Sequence, residues 1–336
     1  MTERIAVLGA GSWGATLANL LAEKGHSVNL WEFDSNAADR LRKTRRLSII
    51  PDLNLHKNVL VSSDITEVLK GCPVILSATP SEFVRSTLKK AAASKVLHAG
   101  PVFISVTKGL ESGSMKRMSE IAAEEIPGAR IAVLSGPSHA EEVCLKLPTA
   151  VVAAAADIAV AEKVREIFSS NYFRIYTQHD LIGVELGGTL KNIYAIACGI
   201  SDGLGFGDNT KAAIMTRGLN EMARIGYKLG GELKTFFGLT GMGDLIVTCL
   251  SRHSRNRALG EKIGKGKSVA QALSEMTMVA EGYKTAPPAF HLAERLNIDA
   301  PLIREAHLIL YDGKNPKQSL IDLMAREMPG EWQNWK

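Results

Sequence analysis

The chain has 336 residues, 46% of them hydrophobic and 22% charged, and a formal net charge of +5. That length exceeds one ordinary core and suits two domains, and the composition excludes a disordered or fibrous chain. The mild positive balance fits an anionic ligand and is too weak to argue for a nucleic-acid partner.

Residues 4–8 read as a strand. A glycine turn follows, Gly9-Ala10-Gly11-Ser12-Trp13-Gly14, and then a helix over 15–24, rich in Ala and Leu, with Gly25 just past its end as a C-cap. Residues 27–32 read as the next strand. The apolar runs 74–78, 102–106, 130–134 and 149–153 have the length of buried strands. Strands alternating with helices predict βαβ units and a parallel sheet, a Rossmann-type α/β domain. After Asp180 the texture changes to Ala, Leu, Gly, Met and Lys with helical periodicity and no strand pattern. The expected boundary falls at 178–185. It separates a dinucleotide-binding domain, 1–180, from an all-helical catalytic domain, 181–336. Cys72, Cys144, Cys198 and Cys249 show no CxxC spacing and no zinc-ligand pattern, so reduced thiols and no metal are expected. No charged leader precedes the first strand, and the longest uninterrupted apolar runs, such as 149–156, are far short of the roughly 20 residues of a membrane span. A cytoplasmic chain without a membrane span is the expectation.

Gly9, Gly11 and Gly14 form GxGxxG between a strand and a helix, the context that gives this short pattern meaning. Gly9 permits the tight turn, Gly11 lets the backbone approach a diphosphate, and Gly14 lets helix and strand pack closely. The helix N-terminus then presents free N–H groups and the positive end of its dipole. Glu32 ends the second strand, 18 residues past Gly14 (32 − 14), where an acid holds ribose hydroxyls and favours NAD; the alternative is that it points to solvent. The basic stretch 40–46 could supply an arginine for the 2′-phosphate of NADP, or serve as a solvated helix face. The choice between NAD and NADP stays open.

Three further segments carry candidate chemistry. Lys108 directly follows a predicted strand, where ligands gather at the carboxyl ends of a parallel sheet. Lys191 lies in an apolar helix with Gly187, Gly188 and Ala195 as its one-turn neighbours. Those small residues predict a concavity beside the ammonium, which needs an anionic partner or a lowered pKa, either suiting proton transfer; a snorkelling lysine is the alternative. Asp244, after a glycine-rich turn, reads as a helix N-cap, with Thr248 one turn later. Ser254, Arg255 and Asn256 offer hydroxyl, guanidinium and amide groups suited to phosphate oxygens, or a plain surface loop.

Taken together and in order, VLGAGSWG, SVTKGLE, LSGPSHAEEV, VELGGTLKNIYAIACGISDGLGFGDNTKAA, GLTGMGDLIVTC, SRNR and VAEG closely resemble the bacterial-type NAD(P)-dependent glycerol-3-phosphate dehydrogenases, over residues 5–322. The resemblance implies roles. Ser12, Trp13, Phe33, Pro80, Ala140, Val279 and Glu281 would line the cofactor. Lys108, Gly136, Ser138 and Asn192 would line the substrate. Lys191 would be the general acid/base, supported by Asp244 and Thr248. Ser254, Arg255 and Asn256 would grip the phosphate, with Lys108 and Arg255 also near the dinucleotide. It further implies reversible hydride transfer between sn-glycerol 3-phosphate and dihydroxyacetone phosphate, a supply of glycerol phosphate for phospholipid synthesis, and a homodimer. Many family members carry His or Arg at the position of Phe33 and a small residue at that of Glu32. An acid there repels a 2′-phosphate, which favours NAD or dual use. Two competing readings are a hydroxyacid dehydrogenase, which would need a carboxylate clamp, and a dinucleotide sensor without turnover. The tail 331–336 carries Trp332 and Trp335 with no assigned role beyond docking on the chain's own surface.

Overall fold

The computed structural model describes residues 2–327, 330 and 331; Trp332 and Trp335 lie outside the described residues. The strands are β1 (Arg4–Leu8), β2 (Ser27–Trp31), β3 (Arg46–Leu47), β4 (Ile50–Asn54), β5 (Val59–Ser62), β6 (Val74–Ser77), β7 (Val102–Ser105), β8 (Arg130–Ser135), β9 (Thr149–Ala154) and β10 (Phe173–Gln178). Interleaved with them are helices α1 (Ser12–Glu23), α2 (Ser35–Thr44), α3 (Ile65–Leu69), α4 (Val84–Ala93), α5 (Met118–Glu125), α6 (Ala140–Cys144) and α7 (Ile158–Phe168). The rest of the chain is helical: α8 (Leu181–Gly203), α9 (Asp208–Lys228), α10 (Leu233–Phe236), α11 (Asp244–Leu250), α12 (Arg255–Gly264), α13 (Val269–Ser274), α14 (Glu281–Arg295), α15 (Pro301–Tyr311) and α16 (Pro316–Met324). Two compact units result, Met1–Glu111 with Lys116–Glu185, and Ser112–Met115 with Leu186–Lys336. The division falls inside α8, because the Glu185 carboxylate is held by the Ser119 amide at 2.9 Å and by Arg117 at 3.0 Å, both in the first unit.

In the first unit eight strands form one sheet, ordered β10-β9-β8-β7-β6-β1-β2-β5. Apolar runs cover both faces, as a buried parallel sheet requires. Ile5 and Val7 of β1 pack with Leu17, Leu21, Val164 and Phe168 of α1 and α7. Ala6 and Leu8, one residue out of phase, pack with Val84, Leu88, Met118 and Ile121 of α4 and α5. The expected parallel order holds from β5 through β8. It fails at β9, which pairs antiparallel with β8 and parallel with β10. The β8–β9 connection contains only the five-residue α6, too short to carry the chain back along the sheet. Sequence reading also passed over β5, β10 and the β3–β4 hairpin.

In the second unit α8 is the central helix, buried on nearly every side from Gly183 to Ile200. Glycines bring α12 against it. A Cβ at Gly199 would stand 2.0 Å from the Arg257 carbonyl oxygen, and one at Gly260 2.0 Å from that of Ile196. The backbones touch where side chains would otherwise hold helices 8–10 Å apart. The stretch Leu233–Leu250, which spans α10, the following turn and α11, is apolar on average though not uninterrupted. It has 18 residues, a mean hydropathy of 1.3 and 44% burial, enough by length and composition to cross a membrane. Lys234 and Asp244 interrupt it, so no uninterrupted apolar run announced it.

Candidate active site

Strands β2, β1, β6, β7 and β8 run parallel, so their carboxyl ends share one edge of the sheet. Five expected segments gather there: Gly9–Gly14 after β1, Glu32 and Phe33 after β2, Pro80 after β6, Lys108 after β7, and Gly136 and Ser138 after β8.

The glycine turn divides its work as the pattern predicts. Gly9 has φ +108°, and a Cβ there would lie 2.9 Å from the Ala78 carbonyl oxygen. A Cβ on Gly14 would lie 1.9 Å from the Gly9 carbonyl oxygen, so helix and turn touch. Gly11 differs: a Cβ there meets nothing within 4 Å. Gly11 is therefore not required by the protein's own packing. It caps α1 without a side-chain hydrogen bond, and the first turn carries no acid. This open cradle at a helix N-terminus fits the diphosphate of a dinucleotide. Ser12 is buried, its carbonyl accepting from the Thr16 hydroxyl at 2.7 Å. Trp13 leans on Phe173, ring centroids 6.3 Å apart.

Glu32 lies one residue beyond β2, half-buried, and accepts the Asp34 amide at 3.1 Å. Burial raises its pKa above the ordinary carboxylate value, partly offset by that hydrogen bond. Phe33 is 78% exposed. Of the basic stretch, Arg42 donates to the Val61 carbonyl at 3.1 Å, and Arg45 to those of Val59 and Lys57 at 2.8 Å. These two arginines brace β5 and its approach. Pro80 is half-buried and opens a single 3₁₀ turn. The Lys108 ammonium donates to the Gly136 carbonyl at 3.2 Å, and the Ser138 hydroxyl donates to the same oxygen at 2.9 Å. Three expected residues thus share one carbonyl. Ala140 is buried at the start of α6.

In the second unit the Lys191 ammonium lies 2.6 Å from Asp244 Oδ1 and 2.5 Å from Thr248 Oγ1. Thr248 also donates to the Asp244 backbone carbonyl at 2.6 Å. All three residues are at least nine-tenths buried, with Lys191 5% exposed. The expected anionic partner of the buried lysine is therefore Asp244. Two expectations change. Asp244 is not a helix N-cap: Gly243 precedes α11 in helical geometry, and Asp244 sits in the first turn with its carboxylate turned to Lys191. The space beside Gly187 is not a concavity either. A Cβ there would lie 2.9 Å from the Thr240 carbonyl oxygen, so the small residue admits the turn Leu239–Gly243 that delivers Asp244.

Asn192 and Asn256 meet directly, Asn256 Nδ2 donating to Asn192 Oδ1 at 2.9 Å, while Asn256 Oδ1 accepts the Gly282 amide at 2.9 Å. This buried bridge joins α8, α12 and the start of α14, where Glu281 is the first residue and Val279, 38% exposed, lies just ahead. Ser254 is buried and caps α12 by accepting the Arg257 amide at 3.2 Å, which is a structural task. Arg255 begins α12 and is exposed, its guanidinium 3.8 Å from Met278 Sδ. Two supporting groups escaped sequence reading. Glu185 holds Ser119 and Arg117 from the same helix as Lys191, and a lone acid in an apolar run was the available signal. Asp202 binds Arg257 at 2.8 Å and Lys211 at 2.6 Å, fixing α12; its distance in sequence from both gave no signal. Among the described residues no group of three or more His, Cys, Asp or Glu is gathered as a metal would need.

Comparison with known proteins follows the same division. Residues 4–161 match the model of the NAD-dependent glycerol-3-phosphate dehydrogenase N-terminus, and residues 180–321 that of its C-terminus. A glycerol-3-phosphate dehydrogenase [NAD(P)+] of Citrifermentans bemidjiense is 45% identical over 335 residues, 98% of this chain and 99% of that protein. One from Chlorobium phaeobacteroides is 48% identical over 328 residues, 96% and 98% of the two chains. The crystal structure of glycerol-3-phosphate dehydrogenase from Coxiella burnetii superposes with a TM-score of 0.91 at 37% identity, over 97% of this chain and 99% of that one.

Proposed function

The chain belongs to the NAD-dependent glycerol-3-phosphate dehydrogenase family, and on that premise we propose that Lys191 is the proton-transfer residue of a reversible conversion between sn-glycerol 3-phosphate and dihydroxyacetone phosphate. The observation that carries this reading is the buried contact of the Lys191 ammonium with Asp244 and Thr248. When bound, the nicotinamide supplies or accepts the hydride. In the reducing direction Lys191 donates a proton to the oxyanion forming at the substrate carbonyl, and in the oxidising direction it takes the hydroxyl proton. Asp244 and Thr248 fix the ammonium, so little reorganisation accompanies transfer. Ser254, Arg255 and Asn256 hold the phosphate and so orient the carbonyl. Lys108, tied to Gly136, adds positive charge for the substrate. Ser12, Trp13, Phe33, Pro80 and Ala140 line the dinucleotide, and the Val279–Glu281 segment completes its contacts. The enzyme works in the cytoplasm as a homodimer and supplies glycerol phosphate for phospholipid synthesis.

Glu32 supports NADH over NADPH. Absorbance assays with dihydroxyacetone phosphate and each reduced cofactor test this. Turnover with NADH at a KM well below that for NADPH is expected, and replacing Glu32 by Ser should narrow the gap. Activity with NADPH alone would overturn the cofactor assignment, and no activity with either would overturn the reaction.

A further inference from the structure

The stretch from the end of α9 exposes apolar side chains that no described residue of the second unit covers. Met242, Ile246 and Leu250 recur at intervals of four, which places them on one face of the Leu239–Gly243 turn and α11. They are 38%, 42% and 52% exposed. Asp244 and Thr248, on the opposite face, are buried against Lys191. Phe237 is exposed just ahead of the turn, and Tyr227 one residue before the end of α9. A soluble surface seldom gathers so many large apolar groups within one short segment without a partner.

Charge says what that partner is. Between Arg224 and Arg257 the only acids are Glu232 and Asp244, against the cations Lys228, Lys234, Arg252 and Arg255. Asp244 is buried with Lys191, and Glu232 pairs with Lys234 at 2.7 Å. Lys228 and Arg252 are exposed at the two ends of the segment. An apolar stripe with an aromatic residue and cations at its margins is the pattern of helices that lie on a bilayer surface. A symmetric pairing of two copies through this face would bring both sets of cations together with little acid to offset them.

We propose that the Met242–Ile246–Leu250 face seats the enzyme peripherally on anionic lipid, with Lys228 and Arg252 meeting the headgroups. Full-length protein is sedimented with phosphatidylcholine vesicles, with and without phosphatidylglycerol. Binding is expected only with phosphatidylglycerol, and it weakens as salt is raised. Replacing Ile246 and Leu250 together by Ser should weaken it roughly ten-fold while turnover with NADH persists. Should that variant fold poorly, the surface variant Lys228→Gln with Arg252→Gln carries the test, with a loss of roughly thirty-fold expected. Equal sedimentation with neutral and anionic vesicles, or none with either, overturns the proposal. So does light scattering that shows Ile246→Ser/Leu250→Ser splitting a dimer, which would assign the face to a second copy.

Discussion

An ammonium buried as deeply as Lys191 is stable only with its charge answered, because desolvation of an unpaired ion costs several kcal/mol. Asp244 Oδ1 at 2.6 Å answers it, and Thr248 Oγ1 fills a second direction. Lys191→Ala should lower turnover about 10²–10⁴-fold, with a smaller effect on cofactor binding. Folded protein with near-normal turnover would remove Lys191 from proton transfer. Much of this was legible in sequence, since a lone lysine inside LGGTLKNIYAIA has few structural uses. The role of Asp244 came only with the family resemblance, not from its local pattern. A glycine turn followed by an acid looks the same whether the carboxylate caps its own helix or crosses to another, and only tertiary packing decides. Ser254 shows the converse: its hydroxyl oxygen accepts in the α12 cap, a use the phosphate pattern did not announce and one that leaves its proton to donate.

Elements place these groups through glycine contacts that allow different tolerances. At Gly260 an added methyl would sit 2.0 Å from the Ile196 carbonyl oxygen, an overlap that only separation of α8 and α12 relieves. Gly260→Ala should cost about 1–3 kcal/mol, a fall in melting temperature of roughly 3–10 °C. At Gly187 the methyl would sit 2.9 Å from the Thr240 carbonyl oxygen, a smaller overlap that still obliges the backbone of the turn to move. Since that turn carries Asp244, Gly187→Ala should lower melting less than Gly260→Ala does and lower turnover about ten-fold, because small misplacements at a reacting group are costly. Calorimetry beside steady-state kinetics separates the two, and equal effects of both variants on stability and rate would contradict the distinction. The strands were readable where both faces are buried, as in β1, β6 and β7, whose apolar runs are continuous. β10 and β5 lie at the two edges of the sheet: exposed Arg174 and Tyr176 alternate with buried neighbours in one, and exposed Leu60 interrupts the buried residues of the other.

At the scale of the whole molecule, buried titratable groups respond to pH in opposite senses. In the first unit His26 Nδ1 accepts the Glu3 amide at 3.0 Å, and its Nε2 lies 3.2 Å from the Ile167 carbonyl. Burial lowers its pKa below the ordinary histidine value. Its contribution is therefore present above pH 6.5 and is lost as pH falls through the folded-state value. In the second unit Glu221 accepts the Leu302 and Ile303 amides at 2.8 and 3.2 Å, at the start of α15. Burial raises its pKa to about 7, against an ordinary 4.5, despite those hydrogen bonds. A raised value means the folded state binds the proton more tightly. Its contribution is present below pH 4.5 and is lost as pH rises through 7, a span worth roughly 3 kcal/mol. Glu185 in the first unit is also raised by burial and opposes His26 there, and His307 in the second is lowered by burial and opposes Glu221, so the test isolates one group by substitution. Melting of the wild type and Glu221→Gln is compared from pH 4 to 8. The glutamine keeps the shape and one acceptor, and it cannot titrate. The wild type should lose stability relative to the variant as pH rises, with most of the change between 4.5 and 7. A difference that stays flat, or grows in the opposite direction, would mean that α15 holds Glu221 ionised across the range and that the amide hydrogen bonds outweigh burial.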